Sequence, residues 1–548
     1  MITKYKNGVI EIQLKTDRNF NNPFWDVEIV ATFSHENDKS VQKVYGFYDG
    51  RDKDGYNIWK LRWMPAFKGN WICHILSYPQ TEGLSAELAL QIADDEVNEK
   101  GFLRAYPEDK WGLKFDNGEP FYLFGDTMYN IFGACYCGVD VENVLRRRKE
   151  QGINYIRARM QVSPYHPDTL NSWQTRDCWP WGGSSQLPDF TRFKLDYFQA
   201  VDKVVSMMAD MDMGLEVVFE AWLWEFPFND RNKFIPEFEM HWFKYIISRY
   251  AAYPCVYIWC PANEYEFYPV GEVKYHPEAD RWLKRLAAFI KECDPFRHPI
   301  GAHNWEQDIP LSNRVGDIKD IDVYLIQTSW GLESEKFNRA ASLCMYLESQ
   351  MRNHSPKRDK VMICAEFGYE TADCSYTHEG HQVMDHNHTR RGQWRTGFSG
   401  YHVVHGFNNT WGAHLDVSQD PIGTQYLIHF YNFMTKSINF YEMNTAPELL
   451  HTASGSEEDG TLPLCLSNED RSVISVYFPA AGNCTLDISK AQDYTVHWIN
   501  PRTGAWTSGD LSESGCFTAP QTNEGNEAWG DDWVLLLNRR SEDMADSE

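Results

Sequence analysis

Pro254-Cys255-Val256-Tyr257-Ile258-Trp259-Cys260-Pro261-Ala262-Asn263-Glu264-Tyr265-Glu266 is a short apolar run that ends on an amide and a carboxylate. About a hundred residues on, Lys360-Val361-Met362-Ile363-Cys364-Ala365-Glu366-Phe367-Gly368 repeats the pattern and ends on Glu366. Neither run alternates apolar with polar residues. Each therefore reads as a strand buried on both faces, as in a parallel sheet covered by helices. A carboxylate is costly to place at the end of such a run unless something uses it.

Working outward from these two runs, short apolar strands alternate with amphipathic helices from about residue 98 to 442. Strands are expected near 121–125, 155–160, 215–219, 256–259, 299–302, 323–326, 361–365 and 403–408. Helices are expected over 141–151, 195–211, 237–252, 278–292, 335–353 and 425–436. Eight βα units in this length predict a (β/α)8 TIM barrel with decorated loops. Residues 1–97 behave differently. Runs such as Val9-Ile10-Glu11-Ile12-Gln13-Leu14 and Trp71-Ile72-Cys73-His74-Ile75 alternate with period two, the mark of an antiparallel β-sandwich. The same alternation returns over 443–540, for example in Tyr494-Thr495-Val496-His497-Trp498-Ile499, and predicts a second antiparallel β-sandwich. The charged tail 541–548 reads as disordered.

The 548 residues carry a net charge of −26, which opposes binding to nucleic acid or to an anionic membrane surface. The 13 cysteines are odd in number and often sit inside apolar strands, as Cys255, Cys260 and Cys364 do. That pattern reads as reduced thiols in a cytoplasmic protein rather than a disulfide framework. No apolar stretch has the length of a membrane span, and the N-terminus lacks the apolar core of a signal peptide. Aromatic residues make up 15% of the chain, including 21 tryptophans, and serve either sugar stacking or core packing.

In a (β/α)8 barrel, catalytic groups sit where strands end and βα loops begin. Glu264 ends the fourth predicted strand and Glu366 the seventh, so the two carboxylates face each other across the mouth. Such a pair suits a retaining glycosidase, with Glu264 as acid/base and Glu366 as nucleophile. Around them, Asn263 is placed to bond a sugar hydroxyl and Asp126 to grip hydroxyls. Arg157 and His303 are placed to orient Glu366 and keep it ionised. Trp411 is expected as the floor beneath the sugar. Glu220, Trp181 and Trp330 complete the expected substrate contacts, with a structural role equally open to Glu220. Glu266 and Glu370 lie within four residues of the pair and are its nearest competitors. His378, His381, Asp385, His386 and His388 crowd one loop, but Thr377-His378-Glu379-Gly380-His381 lacks the i, i+4 histidine spacing of a zinc protease. The reading assigns no metal and no cofactor.

This constellation resembles the clan A glycoside hydrolases, whose acid/base is the Glu of an Asn-Glu pair on the fourth strand and whose nucleophile is a Glu on the seventh. The likeness is nearest to the apiosidase-like barrel family. Pro188-Asp189-Phe190-Thr191-Arg192-Phe193-Lys194-Leu195-Asp196-Tyr197-Phe198, followed by Val201-Asp202-Lys203-Val204, is similar to that family's second-helix segment. Tyr122-Leu123-Phe124-Gly125-Asp126-Thr127 is similar to its first strand. The resemblance implies retaining hydrolysis of a carbohydrate. The flanking sandwiches and long loops are expected to cap the barrel mouth into a pocket, which favours exo action on short oligosaccharides or small glycosides, with β-glycosides and furanosides such as apiosides both open. An endo-acting glycanase and a non-catalytic carbohydrate-binding barrel are the alternatives. A homo-oligomer is also left open.

Overall fold

A computed structural model describes residues 1–37, 41–162, 178–222, 226–272, 274–305, 310–327, 359–370, 385–411, 415–456, 461–488, 494–510, 514–521 and 531–540. Its centre is an eight-stranded parallel sheet. The strands are β1 (Phe124–Thr127), β2 (Tyr155–Arg159), β3 (Gly214–Ala221), β4 (Val256–Asn263), β5 (Gly301–His303), β6 (Val323–Gln327), β7 (Val361–Glu370) and β8 (His402–Phe407). Sequence neighbours pair in parallel from β1 to β4 and from β5 to β8, and β1 pairs with β8. A parallel bridge between Trp259 and Ile300 joins β4 to the start of β5 and closes the ring. The (β/α)8 barrel expected from the sequence is therefore present.

The barrel strands are buried along their length because both faces are covered. Inside lie Val218, Ile258, Cys260, Leu325, Ile363 and Val404. Outside, helices α1 (Val141–Glu150), α2 (Leu195–Asp210), α3 (Pro236–Tyr250), α4 (Glu278–Cys293) and α5 (His386–Phe398) form the shell. The expected helix 335–353 lies outside the described residues. The expected helix 425–436 is a composite: a 3-10 turn leads into Leu427–Asn432, which continues as a π-helical turn. A hairpin of Leu103–Ala105 and Leu113–Phe115 joins the same interior cluster, with Phe115 and Phe121 edge-on to Tyr257.

Antiparallel sheets flank the barrel. On the N-terminal side two four-stranded sheets stack, one containing Ile10–Thr16 and Asn57–Trp63, the other Glu28–His35 and Gly69–Tyr78. Phe33 of one sheet lies flat on Trp63 of the other, with ring centroids 4.2 Å apart. On the C-terminal side a six-stranded sheet built around Trp533–Arg539 faces a three-stranded one. Trp394 of α5 stacks on Tyr477 of the larger sheet, and Arg390 forms a buried pair with Asp532 at 3.0 Å.

One carboxylate fastens the N-terminal sheets to the barrel. Asp202 of α2 accepts two bonds from Arg62 (3.1 and 3.0 Å) and two from Arg249 of α3 (2.9 and 2.7 Å). Arg62 also reaches Glu11, and Arg249 reaches Asp49, both in the N-terminal sheets. Burial alone would raise the Asp202 pKa, but the two guanidiniums hold it well below the usual carboxylate range. A group depressed in this way contributes stability above the ordinary aspartate value, and that stability is lost as pH falls below about 4. Asp202→Ala leaves two guanidiniums without their shared partner and should cost about 3–5 kcal/mol, measured by urea unfolding. A loss under about 1 kcal/mol would mean that the network behaves like an exposed ion pair.

Candidate active site

Five of the side chains singled out in the sequence meet at the carboxyl ends of β2, β4, β5 and β7. Arg157 is fully buried and is the hub. Its Nε donates to Glu216 Oε1 (3.0 Å), its Nη1 to Glu366 Oε2 (2.9 Å) and its Nη2 to Asn263 Oδ1 (2.6 Å). Nη1 also donates to the Tyr129 hydroxyl. Tyr129 follows β1 and donates in turn to Glu366 Oε2 at 2.7 Å, with its oxygen 3.0 Å from Asn263 Oδ1. Glu216, in the middle of β3, is completed by the Tyr155 hydroxyl at 2.7 Å. Charge-assisted bonds of this kind are short and strong in a dry interior.

Glu264 stands just beyond β4 in the left-handed region, with φ 50° and ψ 57°, where the strand breaks into a 3-10 turn. That conformation is uncommon for a residue with a side chain and signals local strain. Its peptide N–H donates to His303 Nδ1 at 3.1 Å. Because Nδ1 accepts, the ring proton belongs on Nε2, which lies 3.3 Å from Glu366 Oε2, a long and poorly aligned contact. Burial, aided by the charge of Arg157, lowers His303 to about 4, so the imidazole is neutral near pH 7. One neutral ring thus links the backbone of Glu264 to the carboxylate of Glu366.

The Glu264 carboxyl accepts from Gln327 Nε2 at 3.0 Å. Burial first, and then the charge of Glu366, raise it to about 8, against the lowering pull of Gln327 and Arg159. Glu366 instead receives the Arg157 and Tyr129 donors on one oxygen, which stabilises its negative charge. The two carboxyl groups are therefore set apart chemically, one poised to carry a proton and one to remain an anion.

Of the remaining expected contacts, Asp126, Glu220 and Trp181 are bonded or packed elsewhere, and Trp411 lies beside the cluster. Asp126 is fully buried, and its Oδ2 accepts from Arg148 Nε (2.7 Å) and Thr410 Oγ1 (2.9 Å). It ties β1 to α1 and to the turn after β8. Burial raises it to about 6. Glu220 bonds Trp222 Nε1 at 2.6 Å and feels the Arg231–Glu239 pair, away from the two carboxylates. Trp181 is wholly buried among Trp179, Phe228, Phe234 and Trp242, so its ring is core packing. Trp411 ends a helical turn after β8 and lies 6.2 Å from the Tyr129 ring, next to the hub. Trp330, His378 and His381 lie outside the described residues. Asp385 caps α5, accepting from the backbone of Asn387 and His388. Glu266 is held by Arg314 and the Trp305 backbone, and Glu370 by Thr389 and the Gly423 backbone. Both competitors are thus committed to structural bonds.

Four residues in this cluster escaped sequence reasoning: Tyr129, Arg159, Glu216 and Gln327. Two of them left a signal. Glu216 is a charge inside the apolar run Leu215-Glu216-Val217-Val218, and Gln327 ends Val323-Tyr324-Leu325-Ile326-Gln327 as Glu264 ends its own strand. Tyr129 and Arg159 look ordinary in one dimension.

Comparison with known proteins agrees with this fold. A family model for the apiosidase-like catalytic domain matches residues 108–435. A domain of unknown function (DUF5060) matches residues 2–77, and a candidate collagen-binding domain of a collagenase matches residues 455–538. Among solved structures, a candidate glycoside hydrolase from Bacteroides vulgatus ATCC 8482 aligns with a TM-score of 0.66 at 16% identity, over 97% of this chain and 98% of its own. A glycoside hydrolase family 5 protein from the same organism aligns with a TM-score of 0.59 at 15% identity, over 80% and 94%. At such identities the likeness speaks for the fold. No curated protein sequence matches this chain. The match over residues 108–435 spans more than half of the chain, which therefore belongs to the apiosidase-like family of glycoside hydrolases.

Proposed function

We propose that the protein is a retaining, exo-acting glycoside hydrolase for short oligosaccharides or small glycosides, with Glu366 as nucleophile and Glu264 as acid/base. The observation that carries this reading is the opposed chemistry of the two carboxyl groups around one imidazole. Glu264, at about 8, holds its proton near pH 7 and can give it to the departing glycosidic oxygen. Glu366, backed by Arg157 and Tyr129, can attack the anomeric carbon as an anion. Forming the glycosyl ester removes the charge of Glu366. One cause that raises Glu264 then vanishes while burial and Glu266 remain, so its pKa falls and it stays ionised, ready to take a proton from the water that completes the second displacement. Asn263, adjacent to both, is placed to bond a hydroxyl beside the anomeric carbon.

The chain between β2 and α2 and between β7 and α5 is long in sequence, which supports exo action on small glycosides. The acidic surface disfavours polyanionic partners such as nucleic acid. Buried thiols at Cys73, Cys255, Cys260 and Cys364 support a cytoplasmic site of action. The sugar is left to a panel of 4-nitrophenyl glycosides comprising β-glucoside, β-galactoside, β-fucoside, α-L-arabinofuranoside and β-apioside. Absence of turnover across panel and oligosaccharide substrates alike would favour the binding-protein reading.

Glu366→Gln should lose at least roughly a thousandfold in kcat while keeping the fold, since the nucleophile has no substitute. A mechanism-based fluoroglycoside should label Glu366, and a label on Glu370 would move the assignment. The product released first should retain its anomeric configuration by NMR, whereas inversion would mean single displacement.

The acid needs its proton, so kcat/KM should fall as pH rises through about 8, the value that burial and Glu366 impose on Glu264. Glu264→Ala should flatten that alkaline limb. It should hurt 4-nitrophenyl glycosides more than 2,4-dinitrophenyl ones, and azide should restore turnover. A limb unchanged in Glu264→Ala would assign the proton to another group.

A further inference from the structure

Gln327 is the last residue of β6, and its two amide atoms have different fates. Its Nε2 donates to Glu264 Oε1 at 3.0 Å. Its Oε1 is buried and has no hydrogen-bond partner among the described residues. The side chain is held in place from behind. The Gln327 backbone N–H donates to Asn304 Oδ1 at 2.9 Å, and the β6–β7 register shifts between Ile326 and Gln327 so that Gln327 pairs with Glu366. The residue therefore sits level with the nucleophile while bonding the acid/base.

A carbonyl oxygen carries two lone pairs, and leaving both unmet in a dry site is costly. Nothing among the described residues explains that cost at Gln327. A carbohydrate hydroxyl would remove it, because hydroxyls are the donors such a substrate brings to the mouth. The two ends of the amide are also coupled. A proton donated to Oε1 polarises the amide and makes Nε2 a stronger donor. The Glu264 carboxylate is then better stabilised at the moment it has released its proton.

We propose that Gln327 couples substrate recognition to acid catalysis: its amide nitrogen aims the Glu264 carboxyl, and its amide oxygen receives a hydroxyl of the bound sugar. This rests on Glu264 being the acid/base, and the experiment separates the two ideas. The probes are the 4-nitrophenyl and 2,4-dinitrophenyl forms of whichever panel glycoside the wild type hydrolyses. Gln327→Met keeps the length of the side chain and removes both functions. KM should rise roughly tenfold with both leaving groups, because the hydroxyl contact is lost in ground and transition states alike. The alkaline limb of kcat/KM should move to higher pH, because a donor to the carboxylate is gone. Gln327→Glu restores an acceptor oxygen but replaces the donor with a like charge. Its KM should lie nearer the wild type than that of Gln327→Met, while its limb moves further to alkaline pH. A folded Gln327→Met whose KM stays within about twofold of the wild type, or whose limb does not move, overturns the proposal. If Gln327→Met does not fold, the limb of Gln327→Glu decides alone. Were Glu264→Ala to show neither leaving-group dependence nor azide rescue, the acid/base reading would fall and this coupling with it.

Discussion

A guanidinium at the centre of a dry barrel must be neutralised where it stands, and much of the site follows from that constraint. Arg157 has no access to water, so every N–H that points at a neighbour selects the neighbour's chemistry. It takes a carboxylate from β3, an amide oxygen from β4, a hydroxyl from the turn after β1 and a carboxylate from β7. Four separate pieces of chain are thereby brought to a common point. Removing the cation would leave Glu216 and Glu366 without their shared buried counter-ion, so stability and site geometry rest on the same bonds.

The chemical difference between Glu264 and Glu366 arises from what each touches. Glu264 follows the last residue of β4, whereas Glu366 lies within β7 and not at its end as the sequence suggested, and both are buried. Glu366 meets a cation and a phenol, whereas Glu264 meets an uncharged amide and the field of Glu366. The same low dielectric that would penalise either charge alone raises the Glu264 carboxyl, while the cation and the phenol compensate the charge of Glu366. His303 adds order without adding charge. Its neutral ring fixes the strained turn at Glu264 from one nitrogen and faces Glu366 with the other.

Carboxylates at strand ends are common in this chain, and most of them are structural. Asp126 is consumed by Arg148 and Thr410, Glu266 by Arg314, and Glu370 by Thr389 and a backbone amide. Burial raises Asp126, Glu266 and Glu370 just as it raises Glu264. A shifted titration alone therefore does not mark the site. What sets the central pair apart is the contrast in partners, an uncharged amide for Glu264 and a cation with a phenol for Glu366, with the neutral His303 ring between them.

The sequence by itself determined the barrel, because strands buried on both faces must be apolar throughout and helices covering them must be amphipathic, and both patterns are written locally. It also determined where polar groups interrupt apolar runs, which is why Arg157, Asn263, Glu264, His303 and Glu366 were legible before any coordinates. It could not say which interruptions meet. Asp126 and Glu220 carry the same strand-end signature as Glu264 yet are bonded elsewhere, and Trp181 looks like a loop tryptophan yet lies in the core. Tyr129 and Gln327 join the site only because the closing of the barrel sets the ends of β1 and β6 beside those of β7 and β4. Partnership between residues from 63 positions apart, as in Gln327 and Glu264, to 237, as in Tyr129 and Glu366, is a property of strand register and barrel closure, and local composition does not reveal it.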